Sequence, residues 1–272
     1  MDKNYTKPSG PQSPRKFPQR TVKEREFTIC GLHACLQTFE KRPQDLLRLY
    51  FHKDRSRQVM KIKKWCAERK LPYRELDEAA ISRAAASVHH EGLVMVVRPL
   101  ALPSIHSFVA KGLSAGCFAV ALDRVDNTHN VGAILRSCAF FGATGLLTET
   151  AQSVLTSAMA RTAEGALDLV PVYPCKSLAS ALRDLQSKKV FVVGADLNAK
   201  KSLYETKIPF PCVVVVGNEH HGLSAPVKKR CDVLVKIPGA GAMESLNVSV
   251  SVGVLLGELA RRQASVTLDP NG

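Results

Sequence analysis

Residues 213–224 read Val-Val-Val-Val-Gly-Asn-Glu-His-His-Gly-Leu-Ser, an apolar run that passes directly into a polar loop. Four consecutive valines predict a strand buried on both faces, as in a parallel sheet covered by helices. In open α/β sheets, ligands bind beyond the carboxyl ends of the strands. The loop at residues 217–222 is therefore predicted to carry ligand-binding groups.

Two further stretches have the same organisation. Upstream, the apolar residues 118–122 lead through Asp123 to a polar segment at 126–130, and a Val-Gly-Ala-Ile-Leu run then leads to Arg136. Downstream, Ile237-Pro238-Gly239 precedes Glu-Ser-Leu-Asn-Val-Ser at 244–249. Strand–helix alternation over this part of the chain predicts a mostly parallel sheet. The polar groups of all three loops are therefore expected at one edge of that sheet.

The three stretches together resemble the SpoU-type (TrmH-like) RNA ribose 2′-O-methyltransferases, members of the knotted α/β methyltransferases. The first family motif, N-x-G-A-I-x-R, is matched by Asn130, Gly132, Ala133, Ile134 and Arg136. The second, G-x-E-x-x-G-L-S, is matched from Gly217 to Ser224, and the third, I-P followed by S-L-N-V-S, by Ile237, Pro238 and residues 245–249. The resemblance implies a C-terminal, mostly parallel α/β domain with a trefoil knot.

The resemblance also implies the composition of the site. It assigns catalytic roles to Asn130, Arg136, Glu219 and Asn247, and S-adenosylmethionine as the cofactor. Backbone-rich loops would hold that cofactor, at Gly217, Asn218, Gly222, Ile237, Pro238, Ser245 and Leu246. It further implies that no metal is needed, and that a homodimer forms through the knotted domain with Arg136 near the other subunit's donor pocket.

The residue types suit methyl transfer to a hydroxyl, which needs alignment, partial removal of the hydroxyl proton and a donor pocket. In the resemblance, Arg136 acts on the target ribose and its neighbouring phosphate. A guanidinium with a pKa above about 12 stays charged at neutral pH, which favours electrostatic stabilisation over simple base catalysis. Asn130 and Ser245 are expected to cap helices. Glu219 is expected either to orient Arg136 or to hold Asn247.

Charge indicates a polyanionic partner. Lys and Arg number 38 against 24 Asp and Glu, a net charge of +14, which favours nucleic acid. Residues 41–75 hold twelve Lys or Arg against four Asp or Glu, interleaved with aromatic residues. This region predicts RNA-binding cations at Lys53, Arg55, Arg57, Lys61 and Lys64. Trp65 is either a core residue or a base-stacking one, and Arg161 either contacts RNA phosphate or ends a surface helix.

The chain divides into five predicted segments. Residues 1–23, with four prolines and six Lys or Arg, are predicted to be a disordered basic arm. Residues 24–98 alternate between helix and strand and predict a small α/β/α domain, which resembles the substrate-binding domain of many family members. Residues 99–113 are predicted to be a linker, residues 114–262 the catalytic domain, and residues 263–272 a flexible tail.

The remaining composition narrows the class of protein. Eight cysteines without C-x-x-C spacing predict reduced thiols rather than a metal site. No run approaches the twenty apolar residues of a membrane span, and no signal-peptide core is present, so a soluble cytoplasmic protein is expected. Two alternatives stay open: a non-catalytic RNA-binding protein on the same fold, and methylation of a base or small molecule rather than ribose.

Overall fold

Two separate sheets organise the chain, and the computed structural model describes residues 26–241 and 243–268. The arm predicted for residues 1–23 and the last four residues of the predicted tail lie outside this range. The N-terminal sheet has four strands in the order β1-β4-β2-β3. Its elements are β1 (Phe27–Cys30), α1 (Leu32–Lys41), β2 (Leu46–Phe51), α2 (Met60–Glu68), β3 (Tyr73–Glu75), α3 (Glu78–Ala85) and β4 (Leu93–Val97).

Helices cover both faces of this small sheet, as the α/β/α prediction requires. Side chains of α1 and α2, including Cys35 and Ile62, share one core with Leu49 and Met95. On the other face, Ile81 and Ala85 of α3 pack with Cys30 and Val94. Strand β1 was not predicted. It has only four residues and is positioned by antiparallel pairing with β4, a long-range contact that no local pattern specifies.

The C-terminal sheet has seven strands in the order β7-β6-β5-β10-β8-β11-β9, and all neighbouring strands are parallel. Its strands are β5 (Phe118–Asp123), β6 (Leu146–Thr148), β7 (Val172–Pro174), β8 (Phe191–Ala195), β9 (Lys201–Ser202), β10 (Cys212–Gly217) and β11 (Val233–Lys236). The helices are α4 (Ile105–Lys111), α5 (Thr128–Phe141), α6 (Ala151–Val154), α7 (Ser157–Thr162), α8 (Leu178–Gln186), α9 (Ala225–Lys228) and α10 (Val248–Leu268).

Alternate residues of the central strands enter two different cores. In β10, Val214 and Val216 pack on one side with α5 and α10, whereas Val213 and Val215 pack on the other side with α4, α8 and α9. This explains why all four valines are buried, as predicted. Strand β10 lies between β5, which comes much earlier in the chain, and β8, from which it is separated only by the short β9. The fold is consistent with the trefoil knot implied by the resemblance.

Two predicted boundaries were wrong. Residues 99–113 contain helix α4 rather than only a linker, because Phe108 is buried and packs on Tyr173 with ring centroids 4.5 Å apart. Helix α10 continues to Leu268, past the predicted start of the tail at residue 263. Arg262 Nη1 and Gln263 Nε2 hold this extension by donating to the backbone oxygens of Thr206 and Gly116 at 2.6 and 2.8 Å.

The two domains are docked through a buried polar contact. Asp168, in the turn after α7, accepts from Arg42 Nε at 2.6 Å and from Thr38 Oγ1 at 2.5 Å, and both donors belong to the N-terminal domain. The Arg42 and Asp168 side chains are only 6% and 2% exposed. Phe27, Leu100 and Leu102 also pack against the core of the C-terminal domain. The connection between the domains is therefore a packed interface.

Candidate active site

Three of the four predicted catalytic residues form one hydrogen-bonded cluster. Glu219 Oε1 accepts from Asn130 Nδ2 at 2.9 Å and from Asn247 Nδ2 at 2.8 Å, and Asn247 Nδ2 also lies 3.1 Å from Asn130 Oδ1. The backbone N–H of Val248 adds a longer contact of 3.4 Å to the same carboxylate oxygen. Residues separated by up to 117 positions in sequence thus meet at the carboxyl edge of the sheet.

The start of α5 positions Asn130. Strand β5 ends at Asp123, directly opposite Gly217 of β10 in the parallel register. Asn127 then caps α5, since its Oδ1 accepts from the backbone N–H groups of His129 and Asn130 at 3.0 and 3.2 Å. The prediction that Asn130 caps this helix was wrong: it lies in the first turn, which leaves its side chain available to Glu219.

A tightly folded loop positions Glu219. Asn218 Oδ1 accepts from the backbone of His220 and His221, and its Nδ2 donates to Arg124 O at 3.1 Å. A Cβ at Gly217 would lie 2.2 Å from the Gly222 carbonyl carbon, so only glycine fits there. The structure therefore places Gly217 and Asn218 in the architecture of the loop, and the close approach at Gly217 is to the loop's own backbone.

Asn247 has two tasks at the start of α10. Its Oδ1 accepts from Ser249 N at 2.9 Å and Ser249 Oγ at 2.6 Å, while its Nδ2 reaches Glu219 and Asn130. Its backbone oxygen accepts from Ser251 N at 2.9 Å. The expectation that Ser245 caps α10 was wrong, because the helix begins at Val248 and Asn247 is the capping residue.

Arg136 lies on a different face of α5 and has a different partner. Its Nη1 donates to Glu164 Oε1 at 2.7 Å. Of the two roles expected for Glu219, the structure selects the one toward Asn247, because Arg136 is paired elsewhere. Gly132 explains the close packing here: a Cβ would lie 2.7 Å from Thr162 Cβ and 2.8 Å from Met159 O, both on α7. The glycine of the first motif thus brings α7 and Glu164 close to α5.

Glu164 was not singled out by sequence reasoning. It lies in the segment Ala-Arg-Thr-Ala-Glu-Gly-Ala at residues 160–166, where only Arg161 was considered. The signal available was a lone carboxylate beside a glycine, which by itself is most often a turn residue. Its contact with Arg136 depends on how two helices pack, so the local sequence does not indicate it.

The remaining predicted cofactor residues border an open loop before α10. Pro238, Ser245 and Leu246 are exposed, and Ile237 is half-buried. Leu246 is 48% exposed and Met243 is 81% exposed, so apolar side chains face solvent next to the polar cluster. Gly222 adopts a φ of +61° at the neighbouring loop. The loop therefore presents exposed apolar side chains and polar groups side by side.

The predicted RNA-binding cations fall into two groups. Lys53, Arg57, Lys61 and Lys64 are exposed on and just before α2. Arg55 instead donates to Glu91 O at 2.8 Å and to Gln58 Oε1 at 3.0 Å, so it supports the local fold. Trp65 packs in the core against Phe39, and the Arg69 guanidinium covers its ring at 3.3 Å. The core interpretation of Trp65 is thus correct.

Arg161 lies at the contact between the domains. Its Nη1 donates to Ser87 Oγ of the N-terminal domain at 2.8 Å, and it lies beside the Cys30 thiol of β1. Burial raises the pKa of Cys30, and the Arg161 guanidinium opposes part of that rise. Arg161 is therefore neither a free surface cation nor a plain helix end. It connects β1 and the loop after α3 to helix α7.

All eight cysteines are free thiols, as predicted. Burial raises the pKa of Cys138, Cys175 and Cys212 to about 12, so these thiols stay protonated near neutral pH. Within residues 26–241 and 243–268, no group of three or more His, Cys, Asp or Glu is arranged to hold a metal ion. No helix in the same ranges is long and apolar enough to cross a membrane.

Comparison with known protein families shows to which family a chain with these two domains and this cluster belongs. The sequence model of the SpoU rRNA methylase family matches residues 117–257, just over half of the chain. The chain belongs to the SpoU methylase family. A second family model, described as RNA 2′-O ribose methyltransferase substrate binding, matches residues 28–103. These two ranges correspond to the two sheets of this SpoU methylase.

Relatives and solved structures extend over both domains. The chain is 30% identical to an uncharacterized tRNA/rRNA methyltransferase of Escherichia coli O157:H7, with 89% of this chain and 70% of the relative covered. It is 35% identical to one from Mycolicibacterium smegmatis, with 90% and 79% covered. The structure of a putative TrmH-family RNA methyltransferase from Porphyromonas gingivalis is similar with a TM-score of 0.70 at 25% identity, covering 89% of this chain and 92% of that one. An AdoMet-bound rRNA methyltransferase from Sinorhizobium meliloti has the same fold, with a TM-score of 0.71 at 22% identity and 88% of each chain covered.

Proposed function

We propose that this SpoU methylase transfers a methyl group from S-adenosylmethionine to a ribose 2′-hydroxyl of tRNA or rRNA. The observation that carries the proposal is the Asn130–Glu219–Asn247 cluster at the carboxyl edge of the parallel sheet. Each member comes from a different family motif, so a shared site explains why the motifs lie so far apart in sequence. The matched substrate-binding model and the relatives' names support RNA as the substrate class.

The cluster suits a reaction that requires a fixed geometry. Glu219 uses one carboxylate oxygen to hold two amides, so the orientations of Asn130 and Asn247 are set together. Charge-assisted hydrogen bonds of this type are about twice as strong as neutral ones. The cluster therefore holds the start of α5 to the start of α10 and fixes the edge of the cleft at which a hydroxyl must align with the donor.

The donor site is assigned to the loops beside this cluster. When bound, S-adenosylmethionine supplies an electrophilic methyl group. The exposed apolar side chains of Leu246 and Met243 give a planar adenine a surface to pack against. Ile237 and Pro238 lead from β11 into this loop, and the backbone around Gly222 and Ser245 would offer polar groups to the rest of the ligand. This assignment needs no metal.

Arg136 is assigned to the RNA side of the reaction. Its side chain is 60% exposed, so its charge is accessible to a polyanion. Placed beside the target ribose, the guanidinium would stabilise the alkoxide that develops as the hydroxyl loses its proton, and would bind the adjacent phosphate. The exposed cations Lys53, Arg57, Lys61 and Lys64 would bind the RNA backbone at a distance from the reaction.

A homodimer is part of the proposal. The apolar face of α10 at Val248, Val252, Leu255 and Leu256 does not supply the contact surface, because all four side chains are buried in the core of their own subunit. Exposed apolar side chains lie nearby, since Phe140 at the end of α5 is 83% exposed and Val250 on α10 is 50% exposed. Because α5 and α10 pack together, these two side chains support a partner surface on the C-terminal domain.

The test is a methyl-transfer assay with isotopically labelled S-adenosylmethionine on bulk tRNA and rRNA. Labelled RNA is digested to nucleosides and the methylated product is identified by mass spectrometry. A ribose-methylated nucleoside is the expected product, and Asn247→Ala protein is the matched inactive control. A labelled base would support the base-methylation alternative, and RNA binding without label would support a non-catalytic protein.

A further inference from the structure

We propose that Glu164 is a positioning residue that holds the Arg136 guanidinium ready for an RNA phosphate. The inference deepens the proposed function and rests on it. Glu164 lies outside all three motifs, and its carboxylate is the partner of the one predicted catalytic residue that does not join the cluster. The geometry of the ion pair, the backbone conformation of Glu164 and the cleft around both residues support this role.

The ion pair uses only part of the guanidinium. Arg136 donates through Nη1 at 2.7 Å, and among the described residues neither Nε nor Nη2 has a hydrogen-bond partner. A guanidinium presents its donors as a planar fork and binds phosphate through two of them. Glu164 can therefore stay bound to Nη1 while the Nε and Nη2 edge receives a phosphate. A carboxylate at this position restricts the rotation of an otherwise exposed, flexible side chain.

The backbone of Glu164 is held in a conformation that a non-glycine residue rarely adopts. Its φ is +47°, and non-glycine residues in this left-handed region persist where their surroundings fix them. Ala163 on one side is buried. Gly165 on the other side has a φ of +89°, and a Cβ there would lie 2.5 Å from Gln37 Cβ in α1. Packing against the N-terminal domain thus fixes the position from which Glu164 reaches Arg136.

The pair lines a cleft between the two domains. The cleft has a volume of about 250 Å³, and its lining includes His33 and Glu91 from the N-terminal domain and Arg136, Arg161 and Glu164 from the catalytic domain. Arg161 is half-buried and bound to Ser87 beside Cys30, whereas Arg136 is 60% exposed and keeps Nε and Nη2 without a hydrogen-bond partner among the described residues. A phosphodiester that entered between the domains would meet that free edge. Docking of the substrate-binding domain and orientation of Arg136 are therefore linked through residues 161–165.

A merely electrostatic role for Glu164 predicts the opposite behaviour. If the carboxylate only competed with phosphate for Arg136, its removal would tighten RNA binding and leave the chemical step unchanged. A positioning role predicts a slower chemical step with little change in binding, because a misplaced group stabilises the transition state less while the ground state is little affected. Gln at this position keeps an oxygen that accepts from Nη1, so it should preserve positioning without the charge.

The experiment compares Glu164→Ala, Glu164→Gln, Arg136→Ala and the double variant Glu164→Ala/Arg136→Ala in the full chain, with the exposed Glu205→Ala as control. Single-turnover methylation of bulk tRNA and rRNA and the Kd values for that RNA and for S-adenosylmethionine are measured. Glu164→Ala is expected to slow methylation about 10-fold or more with both Kd values changed less than about 3-fold. Glu164→Gln is expected to recover most of the rate, and the double variant to be no slower than Arg136→Ala. Tighter RNA binding with an unchanged rate in both Glu164 variants would overturn the proposal.

A second measurement does not depend on turnover. The ¹⁵N order parameter of the Arg136 Nε–H group reports how firmly the side chain is held. It is expected to fall in Glu164→Ala and to stay near the wild-type value in Glu164→Gln and Glu205→Ala. An order parameter unaffected by Glu164→Ala would overturn the positioning role. Wild-type protein that methylates no RNA would instead overturn the proposed function, and the order parameter would still decide the role of Glu164.

Discussion

At the scale of single residues, one carboxylate oxygen accepts the hydrogen bonds that connect the parts of the site. Glu219 Oε1 accepts from two side-chain amides and from the first backbone N–H of α10. The residue is exposed, and its loop is shaped by Asn218 and by the close approach at Gly217. The second family motif therefore builds a rigid support for one side chain, and that side chain fixes residues of the other two motifs.

Loss of Glu219 should release both amides. We expect Glu219→Ala to lower single-turnover methylation by about 100-fold, comparable to the loss of one preorganised polar group in other active sites. The free energy of unfolding should fall by only about 0.5–1.5 kcal/mol, because the cluster is exposed and water can replace the lost acceptor. The neighbouring His220→Ala is the control and should methylate normally. Equal rates for Glu219→Ala and wild-type protein would remove the cluster from the mechanism.

Arg136→Ala should separate the chemical step from donor binding. We expect single-turnover methylation at saturating RNA to fall by about 100-fold or more, since in the proposed reaction the guanidinium would stabilise charge that develops in the transition state. The Kd for S-adenosylmethionine, measured by calorimetry, should stay nearly unchanged. The donor is assigned to the loops beside the Asn130–Glu219–Asn247 cluster, to which Arg136 does not belong. A large loss of donor affinity with an intact chemical step would contradict this assignment.

The sequence motifs predicted which residues form the site, but they did not predict all of the contacts that these residues make. Asn130, Glu219 and Asn247 were all predicted from the motifs, yet the capping roles of Asn127 and Asn247 were not. Asx side chains at a helix start serve equally well at several adjacent positions, so the sequence leaves the capping residue open. The Arg136–Glu164 pair was missed because it depends on the packing of α5 on α7. That packing is set by Gly132, whose role is visible only once the helices are in place.

At the scale of elements, α10 connects the active site to the far end of the catalytic domain. Its first residue lies beside Glu219, and near its other end Arg262 donates to the backbone oxygens of Leu203 and Thr206. Glu258, which is 8% exposed, accepts from both Arg261 and Arg262. The hydrogen bond from Arg261 and the neighbouring Arg262 lower the pKa of Glu258 to about 2.

This pKa predicts an acid-sensitive contribution to stability. A carboxylate whose pKa is lower in the folded chain stabilises the fold above its unfolded pKa and loses that effect as the pH falls toward its folded pKa. Glu258→Gln should therefore reduce the free energy of unfolding by about 2 kcal/mol at pH 7. The deficit should shrink as the pH falls below about 4.5, the ordinary range of a Glu carboxyl. Urea unfolding from pH 7 to about pH 2 measures it, and a deficit constant over that range would contradict the linkage.

Most elements could be predicted because their patterns are local. The valine-rich β10 and the apolar β5 were located within one or two residues. The short β1 and the helix α4 were missed. Each is held by long-range contacts, β1 with β4 and Phe108 with Tyr173, and α4 lies in a proline-containing stretch typical of a linker. The strand order and the placement of β10 between β5 and β8 came from the structure alone, because the resemblance implied only a mostly parallel sheet with a trefoil knot.

At the scale of the whole molecule, the N-terminal domain is docked on the catalytic domain. The buried Arg42–Asp168 pair and the nearby Thr38 hydroxyl connect α1 to the turn after α7. Removing one member of a buried ion pair leaves an unpaired charge and typically costs about 3–5 kcal/mol. The turn that carries Asp168 directly follows the Glu164–Gly165 segment, so this interface also bears on Arg136.

Asp168→Ala should loosen the domain interface. We expect a larger radius of gyration by small-angle scattering and a lower methylation rate, because the buried Arg42 would lose its closest carboxylate partner and keep only the longer contact of 3.4 Å to Asp45, within its own domain. Asp184→Ala, which removes an exposed carboxylate on α8, is the matched control and should change neither quantity. An unchanged scattering profile for a folded Asp168→Ala protein would show that the pair does not hold the domains together.

The exposed cations of the N-terminal domain should govern RNA affinity. We expect the quadruple variant Lys53→Gln/Arg57→Gln/Lys61→Gln/Lys64→Gln to bind RNA more weakly. The slope of log Kd against log salt concentration should decrease by about 0.7–0.9 for each phosphate that is no longer neutralised. Substitution is preferable to deleting the domain, since Phe27 and Leu100 pack against the catalytic core. An unchanged slope of log Kd against log salt concentration would place the RNA surface elsewhere.

The most direct measurement is a transcriptome-wide map of alkali-resistant positions in tRNA and rRNA from cells that lack this protein. Ribose 2′-O-methylation blocks alkaline cleavage, whereas base methylation does not. We predict that at least one position becomes cleavable in these cells, and that resistance returns with the wild-type chain but not with Arg136→Ala. Identical maps with and without the protein, or equal restoration by Arg136→Ala, would contradict the proposed ribose methylation.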